Sequence, residues 1–192
     1  MNRRNAIKNL ALFTGGMILL PSCDFSDEKV SIVLNKLQIS KEQEKLVDTI
    51  ISTFIPEGDI PGAKTLKVSN FVWVMVDDCL ETKKQNSFVN GLNLFESKVN
   101  NHHHKTFDKL STDERELVLK EMLALKADSD NKAGSEEIRD IKNFINTTKY
   151  YTIWGYKQSE YMMTEIMPYK LIPGSYGLCE TIDKTKKINV NA

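Results

Sequence analysis

Apolar residues recur every three to four positions in five separate stretches of the chain, and most of these stretches are bounded by residues that start or stop a helix. Leu46, Val47, Ile50, Ile51 and Phe54 line one face of a first helix. Ser40, with Gln43 three residues on, forms a capping box at its start, and Pro56 ends it. The following residues, 57–63, hold two glycines and one further proline and specify a fixed irregular turn. A second helix over residues 67–81 carries Phe71, Val72, Trp73, Val74, Met75, Val76, Cys79 and Leu80, so it is apolar nearly all round and is expected at the centre. A third, over residues 88–99, places Phe88, Leu92, Phe95 and Val99 on one face, and His102, His103 and His104 fall in a polar loop after it. Ser111 with Glu114 is another capping box, opening a helix through Leu117, Leu119, Met122, Leu123 and Leu125 that should end near Lys126. A charged loop over 128–134 then leads to a fifth helix from about Ser135, carrying Ile138, Ile141, Phe144, Ile145, Thr148 and Trp154.

No stretch alternates with period two, so strands are not expected, and the fold class is all-α: an irregular bundle of about five helices. From about residue 155 the character changes. Tyr156, Tyr161, Tyr169 and Tyr176 are interleaved with Met162, Met163, Met167, Pro168, Pro173, Gly174 and Gly177, which reads as an extended aromatic tail lying on its own bundle or partly on a partner.

The first 23 residues form an export signal rather than part of the fold. Arg3, Arg4 and Lys8 make a basic start, residues 10–20 are mostly apolar but too short to span a bilayer, and Leu20-Pro21-Ser22-Cys23 follows. The start resembles a twin-arginine signal, with Ala6 where a bulkier apolar residue is commoner. The last four residues resemble a bacterial lipobox, in which the Cys23 thiol is acylated and becomes the new N-terminus, a lipid anchor on the periplasmic side of the membrane. Residues 24–38 read as a polar tether and residues 39–192 as one helical domain that includes the tail.

With the leader removed about 169 residues remain, enough for one core. Taking its three basic residues from the total of 26 leaves 23 against 26 acidic residues. A mildly acidic domain has no electrostatic reason to bind nucleic acid. With Cys23 acylated, Cys79 and Cys179 sit in an oxidising compartment, where they pair with each other, pair across a subunit interface, or stay as thiols. A mutual bridge would close a loop of about 100 residues, for which chain entropy gives roughly 4–5 kcal/mol.

Twin-arginine export carries folded proteins, commonly those with a cofactor already inserted. This chain has no Cys-x-x-Cys-His, no Gly-x-Gly-x-x-Gly, no phosphate loop and no cysteine cluster. The economical reading is a passenger complex: this subunit supplies the signal and a partner supplies the cofactor. No catalytic, cofactor-binding or metal-binding residue is assigned to the chain. Adjacent histidines at 102–104 point in different directions and lack a carboxylate or cysteine at ligand spacing, so they read as a solvated loop. Glu57, Asp59, Asp77 and Asp78 read as turn and helix-face residues.

Several phrases together resemble the gluconate 2-dehydrogenase subunit 3 family. They are the leader, Ile55-Pro56-Glu57-Gly58-Asp59-Ile60-Pro61-Gly62-Ala63, a helix with Phe71 and Asp77-Asp78-Cys79, the run from Phe107 to Arg115, and a tail with Tyr169 and Pro173-Gly174-Ser175-Tyr176. The resemblance implies the small, non-catalytic subunit of a membrane-associated dehydrogenase of sugars or sugar acids. Its large subunit is of the glucose-methanol-choline type, holds FAD, and travels with the small subunit; a cytochrome c often accepts the electrons. The partner surface is then expected at Pro56, Gly58, Asp59, Pro61 and Gly62 in the turn and at Tyr169, Pro173, Gly174 and Tyr176 in the tail. The rival from another class is a free-standing periplasmic lipoprotein that binds a small ligand in a groove of its bundle.

Overall fold

Both expected capping boxes form, and they set where two helices begin. In a computed structural model of the chain, which describes residues 30–126 and 131–167, Ser40 Oγ accepts from the Gln43 N–H at 3.2 Å while Gln43 Oε1 accepts from the Ser40 N–H at 3.0 Å. These bonds satisfy N–H groups that a helix start leaves without partners, and they open α1, Lys41–Phe54. The same reciprocal pair at Ser111 and Glu114, at 3.3 and 2.7 Å, opens α4, Thr112–Ala124. Between them lie α2, Val68–Val74, which runs on into a π-helical turn, Met75–Cys79, and α3, Thr82–His103. A short 3-10 turn, Phe107–Lys109, precedes α4, and α5, Lys132–Lys157, is followed by a second π-helical turn, Met162–Ile166. The described residues hold no strand, and the all-α class stands.

The core is built where the apolar faces of α1, α2, α3 and α5 meet. Val47, Ile50 and Ile51 of α1, Val72 and Trp73 of α2 with Val76 of the π-helical turn after it, Leu92, Phe95 and Val99 of α3, and Ile141, Phe144 and Ile145 of α5 have no accessible surface. Aromatic rings join these helices: Trp73 meets Phe88 at 5.8 Å, Phe88 meets Phe144 at 5.1 Å and Phe95 meets Phe107 at 5.3 Å, all edge to face. Such pairs contribute about 0.5–1.5 kcal/mol each beyond the area they bury. Gly91 makes the α3–α5 crossing close, since a Cβ there would fall 2.1 Å from the Asp140 carbonyl oxygen.

Four local expectations change. α5 starts at Lys132, not Ser135, because the Asn131 side chain accepts from the Gly134 N–H at 3.0 Å and caps it. The histidines are not in a loop: His102 and His103 are the last residues of α3, and His104 ends it in the left-handed conformation at φ 52°. Leu117, placed on the apolar run of α4, is 55% exposed; Leu119 of that run is buried as expected, and Val118 is buried beside it. The chain also stays helical through Gly155 and Tyr156 to Lys157, where an extended tail was expected to begin.

The larger correction concerns the tether. Residues 30–39, most of which were assigned to it, lie as a strap against the bundle, with Ile32, Leu34, Leu37 and Ile39 turned to the core and Val33 94% exposed. Two carboxylates hold the strap. Asp77 accepts from the N–H groups of Asn35 at 2.6 Å, Leu37 at 2.7 Å and Lys36 at 3.0 Å. Glu44 accepts from the Ser31 N–H at 3.0 Å and from its hydroxyl, and pairs with Lys41 at 3.1 Å.

Candidate functional site

The expected docking turn is a rigid loop that joins α1 to α2. The Glu57 carboxylate reaches across it, accepting from the Gly62 N–H at 2.7 Å and the Thr65 N–H at 3.3 Å. The Ala63 N–H bonds to the Ile55 carbonyl at 3.1 Å, which closes the loop at its base. From α5, the Tyr156 hydroxyl donates to the Pro61 carbonyl at 2.8 Å and ties the loop to the C-terminal end of that helix. The Gly62 N–H holds the Glu57 carboxyl below its ordinary value, with the bonds from Thr65 and the nearby Lys64 adding to the effect against a smaller opposing contribution from burial.

Within this loop Pro56, Gly58 and Asp59 are exposed, Pro61 is half-buried and Gly62 is buried. Gly62 therefore offers no contact surface. A Cβ there would lie 2.7 Å from the Pro56 carbonyl carbon and 2.8 Å from the Glu57 nitrogen, so the residue is glycine because two backbone segments touch. The apolar tip of the loop is Ile60, 40% exposed, which the expected list passed over. Tyr169, Pro173, Gly174 and Tyr176, the export residues Arg3, Arg4 and Lys8, the anchor Cys23, and Cys179 lie outside the described residues. Cys79 is exposed, its Sγ 3.8 Å from Met75 Sδ, and has no disulfide to any described residue.

The acidic side chains serve the backbone. Asp77 is 1% exposed. Burial by itself pushes its carboxyl up, but the Asn35, Leu37 and Lys36 N–H bonds and the Lys36 charge outweigh this and leave it below its ordinary value. Asp78 accepts from the Asn35 side-chain amide at 3.1 Å. Glu57 and Asp77 thus have their lone pairs engaged by structural donors. Among the described residues no group of three His, Cys, Asp or Glu side chains is placed to hold a metal, and no helix is long and apolar enough to cross a membrane.

A cleft of about 610 Å³ lies between α3 and α5. At its floor the Ser87 hydroxyl donates to Asp140 Oδ1 at 2.6 Å and the Asn143 amide donates to Ser87 at 3.2 Å; Lys83, Lys84 and Arg139 line its rim. Its polar floor is satisfied within itself, and it lacks the strand-to-helix glycine turn that cradles a dinucleotide pyrophosphate.

One surface was missed in the sequence. Trp154, assigned to the buried face of α5, is 41% exposed, and Tyr150 and Ile153 beside it are 63% and 44% exposed. The signal was present: residues 150, 153, 154 and 157 have helical i, i+3, i+4, i+7 spacing, about half a turn round from the core stripe. On α2, Val74 is 40% exposed, so that helix is covered on only part of its circumference. Phe71 closes the seam between the two helices, meeting the Trp154 ring edge to face at 5.6 Å.

A family model described as gluconate 2-dehydrogenase subunit 3 matches residues 41–174, from the first residue of α1 through all five helices. The match spans more than two thirds of the chain, which belongs to that family. No curated protein and no solved structure matches it.

Proposed function

From membership of the gluconate 2-dehydrogenase subunit 3 family, we propose that the chain is the small, non-catalytic subunit of a membrane-associated, FAD-dependent dehydrogenase of sugars or sugar acids. The family match over the whole bundle is the observation that carries this reading. A leader of the folded-passenger type on a chain without a cofactor motif supports it, because the signal then serves a flavoprotein that travels alongside. FAD belongs to that glucose-methanol-choline-type partner, and a cytochrome c is the expected electron acceptor. Arg3, Arg4 and Lys8 direct export of the pair, and acylated Cys23 holds it at the periplasmic side of the membrane. What this chain contributes to catalysis is apolar contact area and a fixed position, not a reacting group.

The test is affinity purification of the tagged full-length protein from membranes, followed by an absorption spectrum and mass identification of what accompanies it. The expected result is a yellow complex with a large flavin subunit that has no leader of its own. A colourless, solitary protein would overturn the reading and favour the lipoprotein that binds a small ligand, with the α3–α5 cleft as the first place to look.

A further inference from the structure

We infer that the outer face of α2 and α5, formed by Val74, Tyr150, Ile153 and Trp154, is the surface that seats the flavoprotein subunit, in place of the 56–63 turn as the main contact. The inference rests on the accessory-subunit reading and adds where the partner sits and what its surface must be.

Three observations support it. First, these four side chains leave 40–63% of their surface in water although they sit on helices whose core-facing sides are fully buried. Apolar groups clustered on a rigid element mark interaction surfaces, and tryptophan and tyrosine are the residues that dominate binding energy at interface centres. Second, the rings are held before any partner arrives. Trp154 packs on Phe71 at 5.6 Å and stacks with Tyr151 at 6.3 Å, and Gly155 lets Phe71 approach so closely that a Cβ there would fall 2.6 Å from its ring. Side chains fixed in this way lose little freedom on binding.

Third, charge selects the partner. Residues 141–159 contain no aspartate or glutamate but do contain Lys142, Lys149 and Lys157, of which Lys149 and Lys157 are exposed on this side of α5. On the α2 side the exposed Asp78 carboxylate accepts from the Asn35 side-chain amide. An aromatic centre with a lysine rim, on a chain that is otherwise mildly acidic, fits a folded protein surface that presents an apolar pocket ringed by carboxylates.

The test co-expresses the tagged full-length chain with the flavoprotein subunit and measures flavin absorbance recovered per mole of tagged chain. Val74→Glu combined with Ile153→Glu should lower recovery at least tenfold. Lys149→Glu combined with Lys157→Glu leaves the packing intact and should lower recovery severalfold, with the wild-type complex weakened by added salt. Leu117→Glu, an equally exposed apolar position on α4, should leave recovery unchanged. Wild-type recovery by both double variants would overturn the face assignment while the accessory role stands. Absence of flavoprotein with the wild-type chain would overturn both. Unchanged flavin recovery by the glutamate variants, with a Cys23→Ser chain that still binds phosphatidylethanolamine–phosphatidylglycerol vesicles and loses that binding when Val74→Glu and Ile153→Glu are added, would overturn the assignment and make the face a membrane contact. Unchanged recovery with a loss of self-association in light scattering would make it a homodimer contact.

Discussion

The turn at residues 55–63 and the strap at residues 30–39 are both irregular, and in each a carboxylate collects backbone N–H groups, yet they are held in different ways. Glu57 lies inside its own turn and accepts from Gly62, five residues on, at the surface. Asp77 is buried and accepts from three consecutive N–H groups about forty residues away in sequence. Loss of the Glu57 carboxylate frees two N–H groups in a turn that the Ala63 to Ile55 bond still closes at its base. Loss of Asp77 removes a buried, charged acceptor on which three N–H groups converge, and bonds to a charged group contribute more than neutral ones. The turn is therefore stabilised locally, whereas the strap depends on the folded bundle beneath it.

Asp77→Ala should break this contrast most strongly. It removes a charged acceptor from three N–H groups, costs about 3 kcal/mol or more, and frees residues 30–39 for cleavage. Thermal unfolding and limited proteolysis would measure both, and unchanged cleavage would show that the apolar contacts of Ile32, Leu34 and Leu37 suffice to hold the strap. Gly62→Ala should come next, at about 2 kcal/mol, because its Cβ would meet backbone atoms of Pro56 and Glu57 that cannot retreat cheaply. Glu44→Gln and Tyr156→Phe should each cost about 1 kcal/mol. The first would speed amide exchange at Ser31, while the second would loosen residues 58–62 and leave the strap unchanged. Glu57→Gln should have the smallest effect, seen only as faster exchange at Gly62.

Acid should sharpen the same comparison. For Glu44, burial raises the carboxyl, but the Ser31 hydroxyl, Lys41 and the Ser31 N–H together bring it below its ordinary value. Asp77 and Glu57 are also lowered. A carboxylate with a lowered folded value adds stability that is fully present above its unfolded value and is lost as pH falls through the folded one. Unfolded values are 4.5 for the glutamates and 3.8 for Asp77, so stability should begin to decline near these values and keep falling below them. Amide exchange at 35–37 should accelerate with this decline in the wild type, and stability of Asp77→Asn should depend less on acid. An equal acid dependence in that variant would remove Asp77 from the account.

Much of the bundle was legible in the sequence because the signals are short. Ser40 with Gln43, Ser111 with Glu114, and Pro56 act within a few residues, and the apolar faces of α1, α3 and α5 follow from spacing alone. The strap was not legible, although Ile32 and Leu34 flank an outward Val33 in a brief alternation, because its polar composition resembles a linker and its donors are claimed by a residue on another element. The exposure of Trp154 was missed because an apolar residue at helical spacing reads as core until the neighbouring helices are placed.

By itself, then, the sequence determined which stretches are helical, the capped starts of α1 and α4, the stop of α1 before Pro56, the closed turn and the family signature, since each depends on contacts within one or two helical turns. Only the tertiary structure decided that the π-helical turn after Val74 places Asp77 under the strap, that Tyr156 reaches Pro61, and that Val74, Tyr150, Ile153 and Trp154 are left facing outward. Those outcomes depend on which surfaces meet across the bundle, and side chains of the same apolar type are buried or exposed according to the partner they find there.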